Sequence, residues 1–446
     1  MGFEAASGRR EFLKRTGGVM AAGWAFPAIL PPRARGGEDA PSERIRLGFI
    51  GVGRQGTSNL KDFLKIPGVE VVALADVDSR HLADAAKVVE GAGRAPATFG
   101  DYRRLLEDKS LDGVVVTTPD HWHAQVTVDA CASGKDVYCE KPLTLTVAEG
   151  RRMVDVARRA GRVVQTGSQQ RSDALFRRAC QRVRNGHLGK IEEIRVNLPR
   201  VNFDGPAVAD STPPPELDYN FWLGPAPDRA YNEKRVHYLF RFFWDYSGGQ
   251  MTNFGAHHLD IVQWALGRDE SGPVSIEGTA TYNADGWFEV PETSRLLYTY
   301  DDGVKIVCRQ GDGKGHNVEF QGEKGTLGVS RGKIDADVEG LLDPARDDDD
   351  PIQLEVSGDH HRNWLDCIKS RKAPICDVEI GHRSATVCHL GNIAIRTGRT
   401  ITWDPKTETI VDDDEAAAML SRPYREPWRL VEPSSVKTFV GVPSRA

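Results

Sequence analysis

The sequence predicts an α/β protein in which a doubly wound parallel sheet is followed by an α+β domain with an open, mostly antiparallel sheet. Short apolar segments alternate with helical segments between Arg44 and Gly167, which is typical of a parallel sheet with helices on both faces. Strands of alternating polarity, with few helices between them, dominate after Gly167. A length of 446 residues exceeds one ordinary domain of about 100–200 residues and suits two.

In the first predicted domain, residues 44–167, six strands alternate with helices. We expect strands at residues 45–50, 69–75, 97–99, 112–118, 136–139 and 162–165. We expect helices at residues 54–65, 80–90, 102–107, 124–133 and 147–160. The run DGVVVTT at residues 112–118 is typical of a strand that is buried on both faces of a parallel sheet.

The second predicted domain, residues 168–446, begins with a helix and a strand before a proline-rich loop at residues 213–215. The helices are expected at residues 174–185, 361–369 and 384–397, and strands at residues 191–196, 295–300, 304–309 and 316–321. This order describes an antiparallel sheet that is covered by helices on one face. Because the other face is open, we expect a homo-oligomer.

The composition excludes several classes of protein. Lys and Arg number 58 against 64 Asp and Glu, a formal net charge of −6 with no basic tract, which argues against nucleic acid binding. No apolar run reaches the ~20 residues of a membrane span, so stable insertion is not expected. The seven cysteines form no C-x-x-C pair and are interpreted as core residues, although one disulfide stays open.

Residues 1–43 are interpreted as an export signal and a linker. Arg9 and Arg10 precede the residues EFLK, a mostly small and apolar run at residues 16–30, and then PPR at residues 31–33. This layout predicts export by the twin-arginine machinery to the periplasm or beyond, although Gly8 stands where Ser or Thr is usual. An amphipathic N-terminal helix is the alternative interpretation.

The segment GVGRQG at residues 51–56 has the spacing G-x-G-x-x-G, follows a predicted strand and opens a predicted helix. In this context it predicts a Rossmann dinucleotide-binding domain. Gly51 permits the tight turn, Gly53 lets the backbone approach the pyrophosphate, and Gly56 allows close packing of the helix on the strand. The pyrophosphate would lie at the N-terminus of that helix.

The next strand ends at Asp76, which points to NAD as the cofactor. A carboxylate at this position can accept hydrogen bonds from both hydroxyls of the adenosine ribose and would repel a 2′-phosphate. Arg54 and Arg80 are the counter-evidence, because either could pair with a 2′-phosphate. We therefore expect NAD, with NADP as the alternative.

Two further strand ends fall on the same edge of the sheet, TTPDHWH at residues 117–123 and EKP at residues 140–142. Partial burial and a nearby nicotinamide cation would both lower the pKa of Lys141 toward neutrality. Lys141 could then relay a proton to or from a substrate hydroxyl. A surface salt bridge between Lys141 and Glu140 is the alternative.

Histidine pairs occur at residues 121/123, 257/258 and 360/361, but no third ligand at a set spacing accompanies them, so no metal site is expected. Arg241, Trp244 and Tyr246 combine aromatic faces with polar ends and suit sugar binding, although a core aromatic cluster is an equal alternative.

Four stretches carry a family resemblance: GVGRQG at residues 51–56, TPDHWHA at 118–124, CEKPLT at 139–144 and GGQMTNFGAHHLDIVQWALG at 248–267. In this order they resemble the Gfo/Idh/MocA oxidoreductases, which join a dinucleotide-binding domain to an open-faced sheet domain. The late helical pair and the C-terminal stretch extend the likeness, and with the export signal they resemble an exported bacterial subgroup.

The resemblance implies roles for matching residues. Lys141 would be the catalytic lysine, and His257 an acid/base histidine that faces the substrate carbinol. Many members carry aspartate where this chain has Asn253, which can hydrogen-bond a substrate hydroxyl or orient His257 but cannot take a proton. A proton relay would therefore depend on Lys141 and His257.

Three sets of candidate site residues follow. The cofactor set is Gly51, Gly53, Arg54, Gln55, Gly56, Asp76, Thr118, Pro119, His123, Glu140, Lys141 and Pro142. The catalytic set is Lys141, His257 and Asn253, and the substrate set is Gln169, Arg171, Arg241, Trp244, Tyr246 and His258.

We expect an exported oxidoreductase that transfers hydride between a sugar, polyol or glycoside hydroxyl and a tightly held nicotinamide cofactor. Export of a folded protein makes sense when the cofactor is loaded first and then kept. The alternatives are a redox-neutral, NAD-dependent glycoside hydrolase or lyase, and a cofactor-bound sugar-binding protein without turnover.

Overall fold

The computed structural model describes residues 44–202, 206–311, 314–347 and 349–438. The predicted export signal and linker at residues 1–43 lie outside the described residues. Both sheets described below belong to one unit that begins at Ile45.

The first sheet is parallel and six-stranded, with the order β3-β2-β1-β4-β5-β6, and it confirms the predicted Rossmann fold. Its strands are β1 (Ile45–Ile50), β2 (Val69–Ala75), β3 (Ala97–Phe99), β4 (Gly113–Val116), β5 (Asp136–Cys139) and β6 (Val164–Thr166). The intervening helices are α1 (Arg54–Phe63), α2 (Ser79–Gly91), α3 (Tyr102–Leu106), α4 (Asp120–Ala132) and α5 (Val147–Ala160).

Helix α4 begins four residues before its predicted start. Eleven of its thirteen residues are buried, so the helix has no polar face and lacks the amphipathic period by which helices are recognised in sequence. Pro119 stands at its N-cap, and its ring suits the entry to a helix. The residues that read as a loop in sequence therefore form the first turn of a buried helix.

The second sheet has nine strands in the order β13-β12-β11-β7-β10-β9-β8-β14-β15. They are β7 (Ile191–Leu198), β8 (Ser275–Thr281), β9 (Thr293–Thr299), β10 (Lys305–Gln310), β11 (Val318–Gly322), β12 (Gly325–Ser330), β13 (Lys333–Ala336), β14 (Ile401–Asp404) and β15 (Thr409–Val411). Only β7 and β10 pair in parallel, so the sheet is mixed and mostly antiparallel, as predicted.

Helices cover one face of the second sheet. The helices after β6 are α6 (Ala174–Arg184), α7 (Tyr219–Leu223), α8 (Gly249–Asn253), α9 (Gly255–Leu266), α10 (His360–Ser370), α11 (Val378–Thr397) and α12 (Asp414–Ala418). Short 3₁₀ turns occur at Gln169–Ser172, Leu239–Phe242, Pro344–Arg346 and Pro433–Ser435. The core under this face joins α6, α9 and α11 to the sheet, for example through Phe176, Leu259 and Leu296. The expected homo-oligomer stays a prediction.

Two segments after residue 167 pack on the first sheet, and the assignment of residues 168–446 to a second domain stays a prediction. Helix α10 places Trp364 between Phe63 and Tyr138, with ring centroids 5.8 and 5.9 Å away. Near the C-terminus, the ring of Trp428 lies 4.7 Å from that of Trp122 on α4. Helix α10 and the segment around Trp428 therefore pack on opposite faces of the first sheet.

The structure describes the state of the cysteines and the apolar character of the helices. All seven cysteines are buried and free, so the disulfide that the sequence left open is not formed. Within the described residues, no helix combines the length and the apolar character needed to cross a bilayer.

Replacing Trp364 with alanine tests the return of α10. Trp364 is fully buried, so Trp364→Ala should lower the free energy of unfolding by about 3–5 kcal/mol. Denaturant unfolding measures the loss, with exposed Ile352→Ala as the control. Equal unfolding midpoints for the two variants would contradict the packing described here.

Candidate active site

A cavity of about 530 Å³ opens at the carboxyl edge of the first sheet. Segments from the second part of the chain, including α9 and the β12–β13 hairpin, form its other walls. Eleven of the twelve predicted cofactor residues line it: Gly51, Gly53, Arg54, Gln55, Asp76, Thr118, Pro119, His123, Glu140, Lys141 and Pro142. The predicted catalytic residues Lys141, Asn253 and His257 line it as well.

The glycine turn has the geometry that a bound dinucleotide needs. Gly51 has a φ of +81°, and a Cβ there would lie 2.7 Å from the backbone nitrogen of Thr118. Gly56 does not line the cavity, because it packs against the turn, where a Cβ would overlap the carbonyl oxygen of Gly51. No side chain caps Gly53 at the start of α1, so the helix N-terminus is available to an anion.

The cavity also contains buried polar groups that no protein atom satisfies. The hydroxyls of Thr117 and Thr118 have no hydrogen-bond partner among the described residues, and both threonines line the cavity at the end of β4. Buried polar groups are normally hydrogen-bonded, so these hydroxyls are suited to a polar ligand. Together with the glycine turn, they fit a dinucleotide.

Asp76 ties the glycine turn to the end of β2. Its carboxylate accepts hydrogen bonds from the backbone of Val52 at 2.7 Å and of Asp78 at 2.9 Å. Arg80, one of the two arginines that could favour NADP, forms an ion pair with Glu216. The carboxylate of Asp76 and the pairing of Arg80 with Glu216 both disfavour a 2′-phosphate at this end of the cavity.

Lys141 reaches across the cavity to the second part of the chain. Its Nζ donates to the carbonyl oxygen of Asn253 at 3.1 Å and to Oδ1 of the same residue at 2.9 Å. Glu140 accepts instead from Asn59 Nδ2 at 3.0 Å and from the backbone of Lys141 at 3.2 Å. The alternative of a surface salt bridge between Lys141 and Glu140 is therefore wrong.

The surroundings lower the pKa of Lys141. Desolvation is the main cause, because removal from water disfavours the ammonium form. The carboxylates of Glu140 and Asp120 oppose this shift, whereas the guanidinium groups of Arg241 and Arg331 reinforce it. The amine therefore loses its proton more easily than an exposed lysine does.

His257 lies in the first turn of α9, beside the lysine. Burial lowers its pKa well below the usual range, and the charge of Lys141 adds to the effect, so the imidazole is neutral at pH 7. Its Nδ1 is buried without a hydrogen-bond partner in the described part of the chain, so this nitrogen can bind a polar ligand. Neutral imidazole can both donate and accept hydrogen bonds.

A neighbouring amide fixes the orientation of Asn253. Nδ2 of Asn253 donates to Oε1 of Gln250 at 3.0 Å, and Gln250 in turn donates to the carbonyl oxygen of Arg200 at 2.9 Å. Oδ1 of Asn253 therefore faces Lys141. An aspartate at this position would add a negative charge to the same contact.

Two predicted substrate residues, Gln169 and Arg241, line the cavity, and four do not. Arg171 is fully buried and its guanidinium binds Asp260 at 2.8 Å, so it is a core ion pair. His258 Nδ1 contacts the carbonyl oxygen of Asn197 at 3.0 Å, on the side of α9 that faces the second sheet. The prediction that Arg171 and His258 bind substrate is wrong, because each is turned into the core.

The prediction that Tyr246 and Trp244 bind substrate is wrong for the same reason. Tyr246 is fully buried, with its ring centroid 4.9 Å from that of Trp222 and 5.2 Å from that of His121. Trp244 lies under the guanidinium of Arg396, 4.7 Å from its ring centroid. Tyr246 thus belongs to the core aromatic cluster that the sequence left as the alternative, and neither residue reaches the cavity.

His121 and His123 have separate hydrogen-bond partners. Nε2 of His121 contacts the carbonyl oxygen of Trp222 at 2.9 Å, whereas Nδ1 of His123 contacts that of Pro142 at 2.6 Å. Sequence spacing could not reveal a different group, in which potential ligand atoms converge within 4.8 Å: Asp78, His81 and His237. This group lies beside Asp76, at the ribose end of the cavity.

Sequence reasoning missed several lining residues that come from the second part of the chain. Tyr238 lies between two cations, with the guanidinium carbons of Arg54 and Arg241 5.4 and 4.2 Å from its ring centroid. Ser247 donates to the buried carboxylate of Asp120, and Arg331 reaches the cavity from the β12–β13 turn. No local motif marks these residues, because only the tertiary fold brings them to the cavity.

The chain is similar to curated proteins that are named as glycosyl hydrolases and to others that are named as dehydrogenases. It is 36 % identical over 169 residues to "Glycosyl hydrolase family 109 protein 1" of Shewanella sp. (strain MR-4), covering 34 % of this chain and 37 % of the relative. It is 30 % identical over 285 residues to "Myo-inositol 2-dehydrogenase" of Thermotoga maritima, covering 60 % of this chain and 74 % of the relative. The chain thus matches little more than a third of the Shewanella protein.

A solved structure has the same fold. The WlbA dehydrogenase from Bordetella pertussis, in complex with NADH and UDP-GlcNAcA, aligns with a TM-score of 0.62 at 19 % identity. The alignment covers 81 % of this chain and 99 % of that protein.

The acidic surroundings of the ribose end predict a preference between cofactors. The protein should bind NADH at least about tenfold more tightly than NADPH, because a 2′-phosphate would meet Asp76 and find Arg80 already paired. Glu216→Gln releases Arg80 and should narrow the preference, whereas Glu277→Gln outside the cavity should not. Fluorescence titration measures both affinities, and equal affinities in the unaltered protein would contradict this account.

Two family models together cover most of the chain. Residues 45–168 match the model described as "Oxidoreductase family, NAD-binding Rossmann fold", and residues 203–430 match "Oxidoreductase family, C-terminal alpha/beta domain". The boundaries agree with the six-stranded sheet and with the segments that complete the cavity. With this sheet, this glycine turn and the Glu-Lys-Pro edge in place, the chain belongs to the Gfo/Idh/MocA family of NAD-binding oxidoreductases.

Proposed function

We propose that the protein is an NAD-dependent dehydrogenase that oxidises a hydroxyl group of a sugar, polyol or glycoside and retains its cofactor between turnovers. The observation that carries the proposal is the Lys141 amine. It lies at the carboxyl edge of a dinucleotide-binding sheet, bound by Asn253, and the neutral imidazole of His257 lines the same cavity.

Lys141 is the proton acceptor in this proposal. A base works best when its pKa lies near the operating pH, and desolvation moves the pKa of Lys141 in that direction. The pKa of His257 is lowered so far that its imidazole is a weak base. The hydroxyl proton therefore passes from the substrate oxygen to Nζ of Lys141.

His257 and Asn253 position the reacting groups. The imidazole of His257 hydrogen-bonds the substrate hydroxyl and holds it toward the amine, while Oδ1 of Asn253 holds the amine at 2.9 Å. When bound, the nicotinamide supplies the acceptor for the hydride that leaves the carbon of the same C–O–H group.

A redox-neutral glycoside hydrolase or lyase is the second candidate function, and the likeness to a glycosyl hydrolase family 109 protein favours it. Its first step would use the same proton acceptor, so the two candidates differ in the fate of the cofactor. Net accumulation of NADH with a free sugar supports the dehydrogenase. Release of an aryl aglycone without net NADH supports the redox-neutral reaction, and binding of sugar without either outcome supports a non-catalytic binding protein.

We also propose export by the twin-arginine route, on the basis of residues 9–33. Arg9→Lys with Arg10→Lys should keep a fused reporter inside the cell, whereas the unaltered leader should carry it out. The same location for both fusions would contradict the proposal.

Replacing Lys141 tests the proposed proton acceptor. Lys141→Met should lower kcat for sugar oxidation by about 10²–10⁴-fold, because the variant loses its general base. Binding of NADH, followed by fluorescence, should change little. Lys87→Met on the exposed side of α2 is the matched control, and a kcat for Lys141→Met equal to that of the control would refute the assignment.

The pH dependence gives a second test through Asn253. Since the neutral amine is the active form, kcat/KM for oxidation should rise with pH and level off above the pKa of Lys141. Asn253→Asp would place a carboxylate where Oδ1 lies 2.9 Å from Nζ, which stabilises the ammonium and should move the rise to higher pH. Asn283→Asp outside the cavity is the control. An unmoved profile in Asn253→Asp would show that Lys141 does not govern the rate.

A further inference from the structure

One cation at the substrate end of the cavity has no assigned use. Arg331 stands with Gly332 at the tip of the hairpin between β12 and β13, and the tip reaches the cavity opposite the first sheet. The two-residue turn requires the φ of +75° that Gly332 adopts. The turn therefore directs Arg331 to the cavity, where no cofactor motif predicts a residue.

The backbone of this turn is held in place. The backbone nitrogen of Arg331 donates to Oδ1 of Asn317 at 3.4 Å, and that of Asn317 donates to the hydroxyl of Ser330 at 2.9 Å. On the far side, Nε2 of His316 lies 3.0 Å from the carboxylate of Asp335. Arg331 thus projects from an anchored turn.

The Arg331 guanidinium has no carboxylate partner among the described residues. The two carboxylates nearest the reacting groups are engaged elsewhere: Asp120 accepts from Ser247, and Glu140 accepts from Asn59 at 3.0 Å. The charge of Arg331 instead acts on other cationic or basic groups, because it helps to lower the pKa of both Lys141 and His257. The guanidinium of Arg331 is therefore available to an anionic group of a ligand.

Of the other two arginines of the cavity, Arg54 lies toward the dinucleotide, whereas Arg241 also acts on Lys141. Arg54 stands in the glycine turn, and both Arg54 and Arg241 contact the ring of Tyr238, at 5.4 and 4.2 Å. Arg331 is grouped with Lys141 and His257, where the substrate would react. The positive charge of Arg331 is therefore not needed for the pyrophosphate.

We propose that the substrate is an acidic sugar or glycoside, whose carboxylate or sulfate group binds the guanidinium of Arg331. This inference rests on the proposed function. A guanidinium presents a planar fork of donors that matches the oxygens of such groups, and a charge-assisted contact of this kind is stronger than a neutral one.

Matched pairs of sugars test the proposal on the full chain loaded with NAD. The pairs are glucose with glucuronate, galactose with galacturonate, and N-acetylglucosamine with its 6-sulfate, so that carboxylate and sulfate are separate arms. Binding is measured by calorimetry and turnover by absorbance at 340 nm. Arg331→Gln removes the charge, Arg331→Lys keeps the charge without the fork, and Arg104→Gln on exposed α3 is the control.

In at least one pair, the acidic member should bind at least about tenfold more tightly than its neutral partner. Arg331→Gln should abolish that difference in affinity while leaving the affinity for the neutral member unchanged. In Arg331→Lys the difference should be smaller than in the unaltered protein but still present. Arg104→Gln should leave the difference unchanged. Neutral preference in every pair would overturn the proposal, and so would an acidic preference that persists in Arg331→Gln. Acidic preference that depends on Arg331, but with no turnover of any sugar, would support this subsite and contradict the proposed dehydrogenase.

Discussion

The contact between Lys141 and Asn253 is the interaction on which the cavity depends. An ammonium group is hydrated in water, and at this position two oxygens of one residue replace part of that hydration, at 2.9 and 3.1 Å. The two oxygens carry no full charge, so they hold the amine without trapping its proton as a carboxylate would. The same contact joins the edge of the first sheet to α8 and so holds the walls of the cavity together, whereas desolvation makes the lysine more acidic.

The rest of the fold keeps this contact from opening. Helix α10 and the segment around Trp428 come from late in the chain and pack on the two faces of the first sheet. Asn392 on α11 donates to the carbonyl oxygen of Gly248 at 2.9 Å, one residue before α8 begins. Helix α8, which carries Asn253, is therefore anchored to the long helix α11, and the reacting groups are positioned before a substrate arrives.

The sequence was informative wherever function depends on local patterns. The alternation of strands and helices and the glycine turn need only neighbouring residues, and Lys141 follows directly from the end of β5. The sequence did not predict which side chains far apart along the chain contact each other in the fold. Tyr246 has the composition of a sugar-binding residue but fills the core, and Arg171 is taken up by an aspartate 89 residues away. Arg331 reaches the cavity only because the second sheet folds across it.

Titration of Lys141 shows directly whether its pKa is lowered in the folded protein. Lysine labelled with ¹³C at Cε allows the titration of each amine to be followed by NMR, and the signal that disappears in Lys141→Arg identifies the residue. The account predicts that Lys141 loses its proton at a lower pH than the exposed lysines of the chain, because it is desolvated at the edge of the sheet. Titration of Lys141 together with the exposed lysines would contradict the account.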